Sequence, residues 1–205
     1  MKPEEELQDV AEAVRNCTDC KLHLSRKNAV PGEGPAGAAL MFIGEGPGFH
    51  ENEQGRPFVG AAGHFLEELL GSIGLTRQQV YITNIVKCRP PGNRDPQLPE
   101  IEECAKYLDR QIEAINPKVI VTLGRFSMAR FIPEARISTV HGRARTINGR
   151  VIVPMYPPAA ALHQPSLRRV VEEDFSRLPE MIERAQQSTI TPDESSSQAQ
   201  QLSLF

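Results

Sequence analysis

A chain of 205 residues with 40% hydrophobic and 24% charged side chains is long enough for one domain with a proper core. Its formal net charge of −3 argues against a polyanion-binding surface spread over the whole molecule. No stretch reaches the roughly 18 consecutive apolar residues of a membrane span, and the acidic Met1 to Glu6 segment lacks the basic and apolar regions of a signal peptide. The cytoplasm is the expected compartment.

Leu7, Val10, Ala11 and Val14 recur at helical spacing, which predicts an opening amphipathic helix running into Cys17 and Cys20. After a Gly/Pro-rich loop, Ala39–Ile43 is a continuous apolar run of strand length, ended by the tight Gly44–Gly48 segment (GEGPG). A helix is predicted from about Ala61 to Ser72, a strand over Val80–Asn84, a helix over Glu100–Ile115, a strand over Lys118–Leu123 and a helix over Gly124–Phe131. Strand and helix in alternation imply a parallel sheet covered on both faces. Asn148 and Gly149 between Arg143–Ile147 and Arg150–Pro154 signal a hairpin, so the last two strands are expected to form a ribbon joined to the sheet. A final helix is predicted from about Pro165 to Gln187, giving one domain over residues 1–187. Residues 188–200 are rich in Ser, Gln and Thr without apolar periodicity, which predicts a disordered tail over 188–205 that tethers the last five residues.

In open parallel sheets ligands sit beyond the carboxyl ends of the strands, so the loops after Ile43, Asn84 and Met155 are the candidate binding loops. Charge points the same way. From Ile137 to Val170 there is no Asp or Glu, but there are five arginines: Arg143, Arg145, Arg150, Arg168 and Arg169. Such a local basic surface on an acidic protein can still attract a phosphate backbone. The GEGPG loop alone is a weak phosphate-binding signal, because it lacks the Lys and Ser/Thr of a P-loop. Four cysteines, Cys17, Cys20, Cys88 and Cys104, form one chelating pair and two separate ligands. In a reducing compartment they are candidate metal ligands, and their spacing suits structural zinc or an iron–sulfur cluster equally.

Taken together, Glu45–Gly48 (EGPG), Gly55–Gly60 (GRPFVG), Tyr81–Pro91 (YITNIVKCRPP), Asn93, Arg94 and the four cysteines resemble the family 4 uracil-DNA glycosylases, over a span from about Cys17 to Arg169. The resemblance implies an α/β fold, a three-layer α/β/α sandwich around a central four-stranded parallel sheet. It implies hydrolysis of the N-glycosidic bond of uracil in DNA by a monomeric enzyme, and a four-iron four-sulfur (4Fe–4S) cluster on the four cysteines. Phe58 matches the aromatic that stacks on the base, and Asn84 matches the amide that reads its edge. The Glu45–Gly46 turn would polarise uracil O2. Glu45 and Glu51 match the family's carboxylates, either of which would favour the sugar cation or hold water, while Glu51 has a second possible task, blocking a thymine methyl. Leu162 and His163 fall in the loop that wedges into DNA, with Arg143, Arg168 and Arg169 on nearby phosphates.

The sequence departs from the family at one place. The second motif begins with histidine, proline and alanine, whereas Pro154–Pro165 reads PMYPPAAALHQP and puts Pro157 where the histidine belongs. Proline has neither a side-chain donor nor an N–H, so slow excision is expected, and a uracil-DNA-binding module with little catalysis is the alternative. Covalent capture, which a related subgroup achieves with an inserted basic loop, is disfavoured because the segment after Arg89 carries no such insertion. The terminal pentapeptide Gln201–Phe205 (QLSLF) resembles the bacterial sliding-clamp-binding motif, which makes the clamp an expected partner.

Overall fold

The computed structural model describes residues 2–187, so the predicted tail and the Gln201–Phe205 pentapeptide lie outside the described residues. The chain enters through α1 (Pro3–Asn16). Pro3 occupies its first turn, where a missing N–H costs nothing, and Glu4, Glu5 and Glu6 face the positive end of the helix dipole. Val10 and Val14 form its buried stripe, which packs on α4 (Leu98–Ile115). An ion pair from Arg110 to Glu6 at 2.6 Å reinforces that seam.

The sheet is built from β1 (Leu40–Gly44), β2 (Tyr81–Asn84), β3 (Val119–Leu123), β4 (Arg145–Ile147) and β5 (Arg150–Met155) in the order β2-β1-β3-β5-β4. The first four in that order run parallel. Every residue of β1, β2 and β3 is buried, which is why these strands read as unbroken apolar runs. The period of two sends Met41 and Ile43 into one core with Val14 and Leu108, and Leu40 and Phe42 into the other with Leu66 and Phe175. Phe42 and Phe175 stack with centroids 5.9 Å apart. Helices on both faces complete the predicted three layers.

Three details differ from the sequence reading. The sheet has five strands rather than four, because the first half of the predicted ribbon joins as an antiparallel edge, β4 on β5. The single helix expected over residues 165–187 is two, α8 (Pro165–Ser176) and α9 (Leu178–Gln187). Pro179 explains the break, since it cannot donate to the carbonyl of Phe175 and its ring crowds that turn. Finally, α3 (Ala61–Ser72) and α5 (Arg125–Ala129) appear as predicted or shortened, but α2 (Phe49–Gln54), α6 (Ile137–Val140) and α7 (Pro158–Ala161) occupy segments that read as loops. They are too short for a periodic signal. No helix among the described residues is long and apolar enough to cross a membrane.

The strand order fixes where a ligand can bind. β2 and β3 flank β1, so the connections leave β1 in opposite directions and open a crevice at the carboxyl ends of the strands.

Candidate active site

A cavity of about 540 Å³ fills that crevice. Its wall includes Glu45 and Gly46 after β1, Phe58, Asn84 at the end of β2, Pro157 after β5, and His163. The volume lies in the range of small-ligand pockets. All three loops singled out by the sequence converge here.

Asn84 and Phe58 meet at Gly44. A Cβ on Gly44 would lie 2.4 Å from Asn84 Oδ1 and 2.7 Å from Phe58 Cζ, so only glycine lets the amide and the ring approach each other. Asn84 is 1% exposed, yet its Oδ1 has no hydrogen-bond partner. Two other buried side-chain atoms among the described residues share that condition, Thr122 Oγ1 and Arg150 Nε, and neither residue lines the cavity. A buried acceptor without a partner in a pocket wall makes Asn84 a candidate ligand-binding residue.

Phe58 is held in an uncommon backbone conformation, with φ of 51°. Arg77, whose side chain is 8% exposed, enforces it. Its guanidinium donates to the carbonyls of Phe58, at 2.7 Å, and Pro57, and is itself paired with Glu33. Gly63 completes the clamp. A Cβ there would stand 1.9 Å from the Phe58 carbonyl oxygen, so α3 can pass beneath the Phe58 turn only with glycine at that position.

The two carboxylates occupy different environments. Glu51 Oε1 accepts the N–H groups of Val59 and Gly60, both at 2.8 Å, and Oε2 accepts that of Gly48 at 3.1 Å. It therefore ties the two glycine-bearing loops together across the base of the cavity. Glu45 has no such partners, and burial pushes its carboxyl above the usual range, with Asp95 adding to the shift and Arg125 opposing it.

His163 lines the cavity and is exposed, whereas its neighbour Leu162, 39% exposed, is not among the lining residues. Arg143 and Arg169 are exposed as well. His141 Nδ1 meets the buried Asp174 Oδ2 at 2.8 Å, which anchors the entry to the ribbon two residues before Arg143. Arg168 is engaged within the protein: it pairs with Glu68 and Glu172, each at 2.9 Å, and lies over the Phe65 ring. Pro157 caps α7 and presents only its ring to the cavity wall.

The four cysteines form no disulfide and line one small cavity together with Val14, Leu22 and Tyr107. Arg26 donates to Cys88 Sγ at 3.1 Å, and the Lys87 backbone N–H points at Cys104 Sγ at 3.3 Å. Burial pushes Cys104 up to about 11, so a thiolate there requires a cationic partner. Among the described residues no three Cys, His, Asp or Glu side chains close into a site for a single ion.

A profile of the uracil DNA glycosylase superfamily matches residues 31–178. The chain is 48% identical over 185 residues to a type-4 uracil-DNA glycosylase of Sulfurisphaera tokodaii, covering 85% of this chain and 84% of that protein. Its identity to the type-4 enzyme of Saccharolobus solfataricus is 49%, covering 84% and 85%. To that of Archaeoglobus fulgidus it is 46%, covering 89% and 96%. The chain belongs to the type-4 branch of this superfamily. The uracil-DNA glycosylase frame therefore spans both the cavity and the strands that carry it.

Several residues that shape this glycosylase pocket escape a reading of the sequence. Gly44 and Gly63 carry a weak signal, being glycines at a strand end and inside a helix. Arg77 and Glu33 carry none, since their pairing spans 44 residues. The two carboxylates give a direct test. Glu51→Gln puts an amide where backbone N–H groups need an acceptor, and is expected to cost about 1–3 kcal/mol in urea unfolding. Glu45→Gln is expected to stabilise the protein at neutral pH, where the half-buried charge is unfavourable. That gain should shrink as pH falls through the raised Glu45 value, because the parent carboxyl then takes up its proton. Equal effects of the two changes would contradict the assignment.

Proposed function

We propose that this chain is a uracil-DNA glycosylase of base excision repair, which hydrolyses the bond between uracil and deoxyribose and leaves an abasic site. The single observation that carries the reading is the orphaned Asn84 Oδ1 in the wall of a nucleotide-sized cavity, beside the Phe58 ring. Uracil offers an N3–H donor to that oxygen and an O4 acceptor to the amide N–H, whereas cytosine reverses both. Phe58 stacks on the face of the base. The nucleotide must be flipped to reach this pocket, at a cost of a few kcal/mol. Leu162 and His163 enter the gap it leaves, and Arg143 and Arg169 hold flanking phosphates. Arg168, already engaged by two carboxylates, serves mainly to brace α8.

In the reaction the C1′–N1 bond breaks with its electron pair leaving on uracil N1. A water oxygen bonds to C1′, and its proton passes to solvent. The sugar bears positive charge in the transition state, and the leaving base bears negative charge. Glu45 is the carboxylate with capacity to favour the sugar and hold the water, since both oxygens of Glu51 accept backbone N–H groups. The Gly46 turn polarises O2.

The cysteine cavity suits a 4Fe–4S cluster. Zinc bonds of about 2.3 Å would draw four sulfurs into a closed set, whereas a cluster holds them farther apart around one cavity. Cys17, Cys20, Cys88 and Cys104 would hold it. With four protein thiolates and no open position, it supplies a cross-link between the end of α1 and the loop after β2. A reducing cytoplasm and a monomer fit this design.

Pro157 leaves O2 with one donor fewer, which costs about 100- to 1,000-fold in rate where such donors have been removed. Pro157→His is therefore expected to speed excision by about 100-fold. Alkali cleavage of a uracil-containing oligonucleotide after incubation measures it. Binding by the parent chain without any cleavage would favour the second reading, a uracil-DNA-binding module. Independently, the Gln201–Phe205 segment is proposed to recruit the enzyme to the bacterial sliding clamp. Removing residues 201–205 should abolish retention on immobilised clamp, and equal retention would sink that idea.

A further inference from the structure

A buried lysine stands between the cysteine cavity and the base-reading end of β2. Lys87 is 1% exposed, and its ammonium donates to Thr83 Oγ1 at 2.6 Å, the Asn84 carbonyl at 2.7 Å and Gln111 Oε1 at 2.7 Å. None of these oxygens is charged. A buried cation surrounded only by neutral acceptors is costly, and a negative charge close by offsets that cost.

The cysteine cavity is the available source. Lys87 belongs to its wall, directs its backbone N–H at Cys104 Sγ and precedes Cys88, whose sulfur receives Arg26. Four thiolates around a metal centre, whether zinc or a 4Fe–4S cluster, carry net negative charge. Arg26, which donates to Cys88 Sγ, and Lys87 are thus cations of that wall placed to balance it.

The same ammonium reaches the other site. Asn84 ends β2, where the ladder stops: it pairs with Gly44, and the following N–H groups of Ile85 and Val86 turn back to the carbonyls of Gly44 and Glu45. Its side-chain oxygen has no internal partner to hold it. The aim of the amide therefore depends on its backbone, whose carbonyl is fixed by Lys87. Behind it Gln111 also donates to the Pro31 carbonyl and to the Tyr81 hydroxyl, so the lysine rests on a buried polar network rather than on a mobile loop.

We propose that Lys87 is a positioning residue through which the negatively charged cysteine centre sets the angle at which Asn84 meets the base. The proposal rests on the reading of Asn84 as the residue that recognises uracil.

The test uses the full chain isolated with its metal, in three forms: wild type, Lys87→Met, and Lys87→Met with Gln111→Leu, which removes the amide whose oxygen loses the lysine's hydrogen bond. The probe is an oligonucleotide with 2′-fluoro-deoxyuridine, whose fluorine disfavours the sugar cation and blocks excision, compared with a 2′-fluoro-deoxycytidine oligonucleotide of the same sequence, because cytosine reverses both groups that the Asn84 amide reads. Loss of a hydrogen bond from a charged donor predicts a fall of about tenfold or more in uracil preference. Affinity for the cytosine oligonucleotide should stay unchanged, and metal should be lost to a chelator several-fold faster. A folded Lys87 variant with wild-type preference and wild-type metal retention overturns the proposal. Should neither Lys87 variant fold, Thr83→Val removes one acceptor at nearly constant volume. A drop of about two- to fivefold in preference is then expected, and an unchanged value overturns the proposal. Absence of any uracil preference in the wild type overturns the glycosylase reading itself, and the proposal with it.

Discussion

The structure depends on one unsatisfied atom. Asn84 Oδ1 is buried at the end of a fully buried strand without a hydrogen-bond partner, a condition that costs about 1–3 kcal/mol in an ordinary core. The surrounding residues could relieve that cost only by filling the cavity. Instead Gly44 keeps the space beside the amide open, Phe58 forms one wall of it, and Lys87 anchors the amide's own backbone. In the proposed reading, a base with a donor at that edge removes the penalty, so binding energy and specificity have the same origin.

Rigidity is what makes this arrangement selective. The Phe58 turn has a positive φ, closed by the buried Arg77 on one side and by the glycine surface of α3 on the other. Glu51 knots the same turn to the loop after β1 through three backbone N–H groups. The Phe58 ring and the Asn84 amide are therefore each held from behind, one by a clamped turn and the other by the end of a buried strand. In the proposed reading these supports give the site its selectivity, while Pro157 contributes a ring where a donor would help bond breaking.

Much of this is legible in the residue order. The alternation of apolar runs with amphipathic helices gives the layers, and the GEGPG, GRPFVG and YITNIVKCRPP segments identify the pocket-forming loops. What escapes has physical causes. The edge position of β4 is decided by pairing rather than by composition, and the break between α8 and α9 is decided by a single proline in an otherwise periodic run. The division of labour between Glu45 and Glu51 depends on which carboxylate finds backbone N–H groups, and no local pattern records that. Arg168 looks like Arg169 in the sequence, yet the distant Glu68 and the Phe65 ring engage it together with Glu172 one turn along the same helix.

The central claim is that the Asn84 amide, donor and acceptor together, reads uracil. Asn84→Asp leaves the shape of the site in place but offers no donor to O4 when ionised, and when protonated it donates to uracil O4 or to cytosine N3 alike, so it no longer distinguishes the two edges. The most direct measurement is the ratio of uracil to cytosine excision rates for this variant against the parent chain, on the same single-stranded oligonucleotide. The account predicts that uracil excision falls by about 100-fold or more and that the preference over cytosine collapses. Retention of the parent's full uracil preference would contradict it.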